Sequence, residues 1–599
     1  MNSNNSNLIV AVALSALVLI GWQYFVAGPQ LKADQARQAV AALQQKQGQT
    51  VSAGPVSNAP AHLGRTEALK SSGPRVAIET PTLEGSLRLT GARFDDLRLK
   101  KYHQTTDPKS PEVDLLTPSG ANYPYFAEFG WSAADGKTPV PGDKTPWKLV
   151  SGDVLSPGHP VVLSWDNGQG LVFTRSISVD DKYLFTVADT VTNQSAAPAV
   201  LYPYGLVVRD GYPPHQIYSL LHEGFVGVAN DKLQDPSYSD FKDADTPPKT
   251  FSSTGGWLGI TDKYWMAALI PPQDENFDGT FRAMPYGGDK SYQSNYALAA
   301  RKLAPGATTT LTQRLFAGAK VVDALRGYES AYGIERFDYA VDWGWFIFLT
   351  QPLFWLLDKF YRYLGNFGLA IIAATVVIRA FLFPLANASF RSMSKMKKVQ
   401  PEMERIKQRF ADDQARQQQE MMELYKREKV NPLAGCLPLL IQFPIMFSFY
   451  KVQLVTIEMY HAPFFGWIKD LSAPDPTSIL NLFGLLPYHI PTWVPAFISI
   501  GVWPVLMGIT QWVQTKMNPA PGDPVQARIF GLMPIFMTFM FAGFPVGLVI
   551  YYTWQNLLSI AQQWVMMSRE GVPVHLFENL KPPAFIRRLL DGFGRKGKA

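Results

Sequence analysis

At 599 residues the chain is too long for one ordinary domain, and its near-zero mean hydropathy averages two unlike halves. One cysteine, Cys436, excludes a disulfide framework or a thiolate metal cluster within the chain. The net charge of +6 is modest, so its placement matters more than its size.

The first apolar run, residues 8–27, is about as long as a bilayer is thick. A cleaved signal peptide would want a basic leading segment and a shorter apolar core; this N-terminus is MNSNNSN, and Pro29 follows Gly28. An uncleaved anchor over 1–27 is the expectation. Residues 28–70 turn Ala/Gln-rich and then Ser/Pro/Gly-rich, a flexible tether. From 71 to 325 the text becomes short β-type runs such as GLVFTRSISV and AVLYPYGLVV, parted by Gly, Asp, Asn and Pro, which predicts a large β-sandwich.

Beyond it, WFIFLTQPLFWLLDKFYRYL (345–364) is apolar but carries Pro352, Asp358, Lys359 and Arg362 among many aromatics. That composition predicts an amphipathic helix lying in the membrane interface, the end of a linker region 326–364. Five further runs, 367–388, 433–454, 493–515, 529–544 and 546–567, complete six transmembrane helices, the last five forming a core over 365–568. The fifth is short, which implies local thinning of the bilayer.

Residues 391–429 hold eleven Lys/Arg and 569–599 hold seven, while 458–492 hold one, Lys469. The positive-inside rule then puts 391–430 and the basic tail 569–599 in the cytoplasm, with both termini, and the β domain outside. Within 391–430, Met396, Val399, Met403, Ile406 and Phe410, then Met421, Met422, Leu424 and Tyr425 after Asp412–Asp413, read as an antiparallel helical hairpin. Its methionines suit contact with varied apolar client segments, and suit equally a hairpin packed on itself.

Arg379 lies inside the second run, past its middle. A charge there costs at least a few kcal/mol unless it faces water or a partner, and none of the six runs holds Asp, Glu or His. Snorkelling is the alternative, as it is for Lys451 near the outer end of the third run. Thr375 lies one turn before Arg379. Gln555, Ser559 and Gln562 recur at helical spacing in the last run, with Asn556 and Gln563 beside them; Gln442 lies in the third, and Thr510, Gln511 and Gln514 in the fourth. Singly these read as interhelical hydrogen bonds. With an unpaired arginine they suggest a hydrophilic groove.

The strings FLTQPLFWLLDKFYRYLGNFGLAIIAATVVIRAFLFPL, SMSKMKKVQPEMERIKQRF, QQQEMMELYKREKVNPLAGCLPLLIQFPIMFSFY and FPVGLVIYYTWQNLLSIAQQW closely resemble the YidC/Oxa/Alb insertases, and GWLGITDKYWMAALIP before them resembles the Gram-negative subgroup. The resemblance implies an inner-membrane insertase and chaperone with a five-helix groove open to cytoplasm and lipid. It puts the groove's charge on Arg379 and client contacts on Thr375 and Tyr552. Nascent membrane proteins, the Sec translocon, membrane lipids and, weakly through the tail, the ribosome are the implied partners. Lys451 lies outside the family pattern.

No phosphate loop and no nucleophile elbow is present, and no nucleotide site is needed; for a chain resembling these insertases no cofactor, metal, sequence-specific nucleic acid or enzymatic activity is expected. A small-molecule transporter would want inverted repeats and titratable midplane groups. A sugar-processing outer domain would draw on His103, His159, His215, His222 and Asp210, whose spacing suggests no metal or acid–base pair.

Overall fold

The computed structural model describes residues 63–211, 221–241, 246–286, 289–411, 413–428, 437–486, 488, 494, 498–518 and 524–569. The first apolar run, most of the tether, His215 and the basic tail beyond Arg569 lie outside them. The chain divides into a β-rich unit and a helical unit.

In the β-rich unit a short helix, α1 (Arg65–Ser71), precedes two sheets. Among the described residues eleven strands form one sheet and nine the other, and their pairing is antiparallel apart from Arg75–Glu79 with Val154–Leu155. The alternation legible in the sequence is the one observed. In Leu171–Val179 every second residue from Leu171 is buried, as a period of two requires of a strand with one face on a core. That strand pairs with Leu184–Asn193 so that Arg175 stands opposite Asp189. Between the sheets Phe94 meets Phe185 and Phe129 edge-on, with ring centres 5.1 and 6.5 Å apart, the arrangement aromatic quadrupoles favour.

The packed unit runs on past the last strand, through Trp343. Helix α2 (Val322–Tyr332) buries Val322, Leu325 and Tyr328. The Tyr328 hydroxyl donates to Asp180 Oδ2 at 2.5 Å and accepts from the Tyr183 N–H at 3.2 Å. Phe337 follows in a 3-10 turn, edge-on to Trp257 and Phe316.

The helical unit opens with α3 (Ile347–Leu364), which buries Thr350, Leu353, Phe354 and Leu357 on one face and exposes Phe348, Trp355 and Tyr363. Gly365 ends it with φ +68°, a left-handed position that glycine takes without strain. Asn366 then caps α4 (Phe367–Arg409) by accepting from the Leu369 N–H. At 43 residues, α4 is about 65 Å long. The second run therefore continues without a break into the first arm of the hairpin.

The break expected near Asp412–Asp413 is present: α4 ends at Arg409, and the Asp413 carboxylate caps α5 (Gln414–Arg427) through the Arg416 N–H at 3.0 Å. Arg427 ties the arms through Glu402 at 2.6 Å. Helices α6 (Leu437–Val455), α7 (Val502–Met517), α8 (Pro524–Phe541) and α9 (Val546–Arg569) follow.

Of the described helices one, over Phe367–Ser392, is long and apolar enough by itself to cross a bilayer; Arg528–Phe541 is apolar but shorter. In the fourth run, expected over 493–515, the described residues 498–501 are not helical. α7 starts at Val502 because Asp475 Oδ2 takes the Trp503 N–H at 2.9 Å and Thr477 Oγ1 takes the Val502 N–H at 3.0 Å. These caps come from far along the chain, where a local reading of hydropathy does not look.

Candidate functional site

Arg379 on α4 faces α9. Its Nε donates to Gln555 Oε1 at 3.1 Å, and its Nη2 donates to the Gln555 carbonyl at 3.2 Å and to Ser559 Oγ. The Ser559 hydroxyl in turn donates to the Gln555 carbonyl at 2.8 Å. Gln555 passes the direction on: its Nε2 donates to Gln442 Oε1 on α6 at 2.8 Å, and Gln442 Nε2 donates to the Tyr551 hydroxyl at 2.9 Å. One chain of hydrogen bonds thus links α4, α9 and α6.

Its geometry follows from helical spacing, since Tyr551, Gln555 and Ser559 are four apart and share one face of α9. Tyr551 is held by stacking on Phe449, with ring centres 4.3 Å apart and planes at 12°. Farther along, Gln562 Nε2 donates to Asn387 Oδ1 at 2.9 Å, a second polar joint between α9 and α4. Asn556 Nδ2 donates to Thr510 Oγ1 of α7 at 3.2 Å, and Gln563 reaches the Met517 carbonyl at 3.2 Å.

The expectation for Arg379 is that no ion-pair partner lies in the six runs and that neutral polar groups stand around it, without saying whether they bond it. Three neutral acceptors do bond it, and the half-buried guanidinium is oriented by them. Among the described residues no carboxylate reaches it, and both hydrogens of Nη1 have no protein acceptor. Hydrogen bonds to amides and hydroxyls fix direction but leave the full positive charge in place.

Of the other expected residues, Thr375 is buried, with its hydroxyl turned to the Ile371 carbonyl of its own helix at 2.6 Å. Tyr552 is also buried, edge-on to Phe541, so neither is open in this conformation. Gln511 is half-buried, and its backbone carbonyl accepts the Thr515 hydroxyl at 2.8 Å. In the hairpin Met403 is buried like Leu424, Met396 and Met421 are half-buried, and Met422 is exposed. The sequence reading did not single out Tyr551; its place four residues before Gln555 was the available signal.

In the β-rich unit the described histidines serve loops. His103 Nδ1 meets the Ser110 carbonyl at 2.8 Å, His159 Nδ1 meets Ser156 Oγ at 3.3 Å, and His222 Nε2 meets the Phe225 carbonyl at 2.7 Å. No group of three metal-ligating side chains occurs among the described residues.

Residues 75–356 match the family described as YidC periplasmic domain, and residues 359–571 match the family described as 60Kd inner membrane protein. A curated membrane protein insertase YidC from Methylorubrum extorquens (strain PA1) is 51% identical, over 97% of this chain and 98% of its own length. The Rhizobium meliloti (strain 1021) protein of that name is 51% identical over 96% and 98%, and that of Brucella suis biovar 1 is 49% identical over 96% and 98%. The chain belongs to the YidC family. It is an inner-membrane protein of that family, with a large β-rich domain ahead of a helical part. A galactose mutarotase related enzyme from Lactobacillus acidophilus also aligns, at 11% identity over 41% of this chain and 97% of its own, with a TM-score of 0.29. A likeness that weak decides nothing about fold or ligand.

Proposed function

We propose that the chain inserts nascent membrane proteins into the inner membrane, and that the polar seam around Arg379 receives the client's hydrophilic end. The observation that carries this reading is a guanidinium in the long apolar helix held only by neutral acceptors, with two N–H hydrogens unclaimed among the described residues. A cation so placed is costly unless water or an anion answers it. A client segment with Asp or Glu supplies the anion on arrival and leaves with it, which a carboxylate of the chain's own would prevent.

The client's apolar segment then moves along α4 and α9 and partitions into lipid. Apolar transfer drives this step, aided by the membrane potential at about 2.3 kcal/mol per charge per 100 mV for negative charge moving outward. No nucleotide is consumed.

In this scheme six helices span the membrane, with both termini and the hairpin 391–430 in the cytoplasm and the β domain in the periplasm. The eleven Lys/Arg over 391–429 support that orientation. The hairpin, through the exposed Met422 and the half-buried Met396 and Met421, meets clients first, with the buried Met403 packing its arms together; the Sec translocon, and the ribosome at the tail, are partners in delivery.

Photo-crosslinking of stalled nascent chains tests the groove. Probes belong at Val376 and Phe383, exposed one turn before and after Arg379, and at Thr375 and Tyr552. Client adducts at the first pair, and at the buried pair once a client has entered, are expected. Adducts only to lipid or to the protein itself would sink the groove.

A further inference from the structure

We propose that the loop over residues 460–470 is an anchor for the lipid–water interface, inserting Phe465 and Trp467 among the headgroups at the end of α4 where its apolar stretch begins. The proposal rests on α4 crossing the bilayer and not on the Arg379 groove, so the two can fail separately.

The loop is short and closed on itself. His461 Nδ1 and Asp470 Oδ2 meet at 2.6 Å across its base, and the Leu471 N–H donates to the Ala462 carbonyl at 2.8 Å. Asp470 Oδ1 also accepts from Ser472, backbone N–H at 2.7 Å and hydroxyl at 2.6 Å. Inside, the Phe464 N–H donates to the Ile468 carbonyl at 3.1 Å, and Gly466 turns the chain at φ +64°. Ala462, Ile468 and Leu471 are buried beneath. The tip has the opposite character. Phe465 is 57% exposed and Trp467 47%, with Pro463 and Lys469 exposed beside them.

Its seat on the helices says where the tip stands. Phe464 packs so closely on Gly368, in the first turn of α4, that a Cβ there would overlap the ring. Asn366, the cap of α4, reaches the Pro463 carbonyl at 3.4 Å. Directly after the loop, the Leu471 and Ala473 carbonyls accept the first N–H groups of α9, from Gly547 at 3.0 Å and Val546 at 2.8 Å. Phe464 lies edge-on to Trp503 of α7, ring centres 6.4 Å apart. The loop therefore sits at the N-terminal ends of three helices, level with the residue where the apolar stretch Phe367–Ser392 starts.

That level is where hydrocarbon gives way to headgroups, the zone in which tryptophan is enriched and a lysine can reach phosphate. A tip of Phe, Gly and Trp held rigidly at that height, with a cation alongside, matches the bilayer interface in shape and chemistry. A protein partner would have no need of that height. The anchor would also hold the first turn of α9, which carries Tyr551, Gln555 and Ser559 farther on.

The test uses the full chain with Cys436→Ser and Trp467→Cys, carrying a nitroxide at 467, in phosphatidylethanolamine/phosphatidylglycerol vesicles. A second version carries Phe465→Cys instead, and a control places the label at Asp135, in an exposed turn of the β-rich unit. Circular dichroism and gel filtration select samples that remain folded. The ratio of oxygen to nickel-chelate collisions at 467 or 465 should exceed the Asp135 control by about threefold or more, as an interfacial depth requires. A ratio equal to the control at both positions means a water-exposed loop and overturns the proposal. Exclusion of both reagents from both positions means a protein contact and overturns it as well.

Discussion

Two guanidiniums, one in each unit, are held in opposite ways. Arg175 lies 1% exposed in the sandwich core, where Nε and Nη2 donate to the two oxygens of Asp189 at 2.7 and 2.8 Å and Nη1 donates to the Phe129 carbonyl at 3.0 Å. Trp131 Nε1 adds a 3.0 Å bond to Asp189, and the Trp147 ring lies 4.9 Å from the guanidinium carbon. Charge and donors are both answered from within the chain. Arg379 has its donors directed by Gln555 and Ser559, and among the described residues no carboxylate answers its charge. A core that stays folded in water closes its ion pairs, whereas the site proposed to receive a passing anion has one half of the pair open.

The widest separation between the two should come from Asp189→Ala. It leaves Arg175 charged in a dry core and should lower the unfolding free energy of the β-rich unit by about 3–5 kcal/mol, read from urea melts of the full chain. Arg379→Met should cost that assay almost nothing. Equal destabilisation by both would erase the distinction between the two guanidiniums.

Asp210 supplies the complementary case, a buried carboxylate that no arginine among the described residues grips through both oxygens. Burial pushes it up to about 6, against smaller opposing effects of Ser291 and Arg93. A carboxyl whose folded value is raised contributes stability that is full at low pH and lost as pH rises through about 6. Asp210→Asn should therefore stabilise the β-rich unit by about 1–2 kcal/mol at pH 8 and leave it unchanged at pH 4. A gain that does not depend on pH would mean that packing, not charge, sets the cost.

The features legible in advance were those with a local cause. Alternation in GLVFTRSISV places Arg175 on the core face, but its partner Asp189 belongs to the next strand and becomes visible only with the register. The break before α5 announces itself in its own cap, Asp413. Arg379 stands out by charge in an apolar run, and the four-residue spacing of Gln555 and Ser559 is read directly. What joins them is not local. Gln442 and Tyr551 are brought to Gln555 by packing of helices far apart in sequence, and Asp475 and Thr477 shorten α7 from outside it. The same holds for His461 and Asp470, whose closure gives the 460–470 loop its shape.

Reversing the charge at the open site is the next test in size. Arg379→Glu should reduce insertion of a client with an acidic leading segment by about tenfold, or 1.4 kcal/mol, in a reconstituted assay with matched amounts of folded protein. A client whose leading segment lacks Asp and Glu should be much less affected. If both clients fall equally, the arginine is structural and the open half-pair is not a binding device.

The smallest effect isolates orientation from charge. Gln555→Leu keeps Arg379 and its charge but takes the acceptor from its Nε and the donor from Gln442 Oε1. Hydrogen bonds between membrane helices are individually weak, about 0.6 kcal/mol on average, so the loss in thermal stability of the helical unit should stay near 1 kcal/mol. The guanidinium would then swing on its stem, held by the Gln555-position carbonyl and Ser559 alone. Preference for acidic clients should persist, because the charge remains, while the rate of insertion drops two- to threefold, on the order expected for one misdirected contact. Loss of the preference itself would mean that the direction set by Gln555, rather than the unanswered charge, distinguishes this guanidinium from the closed one at Arg175.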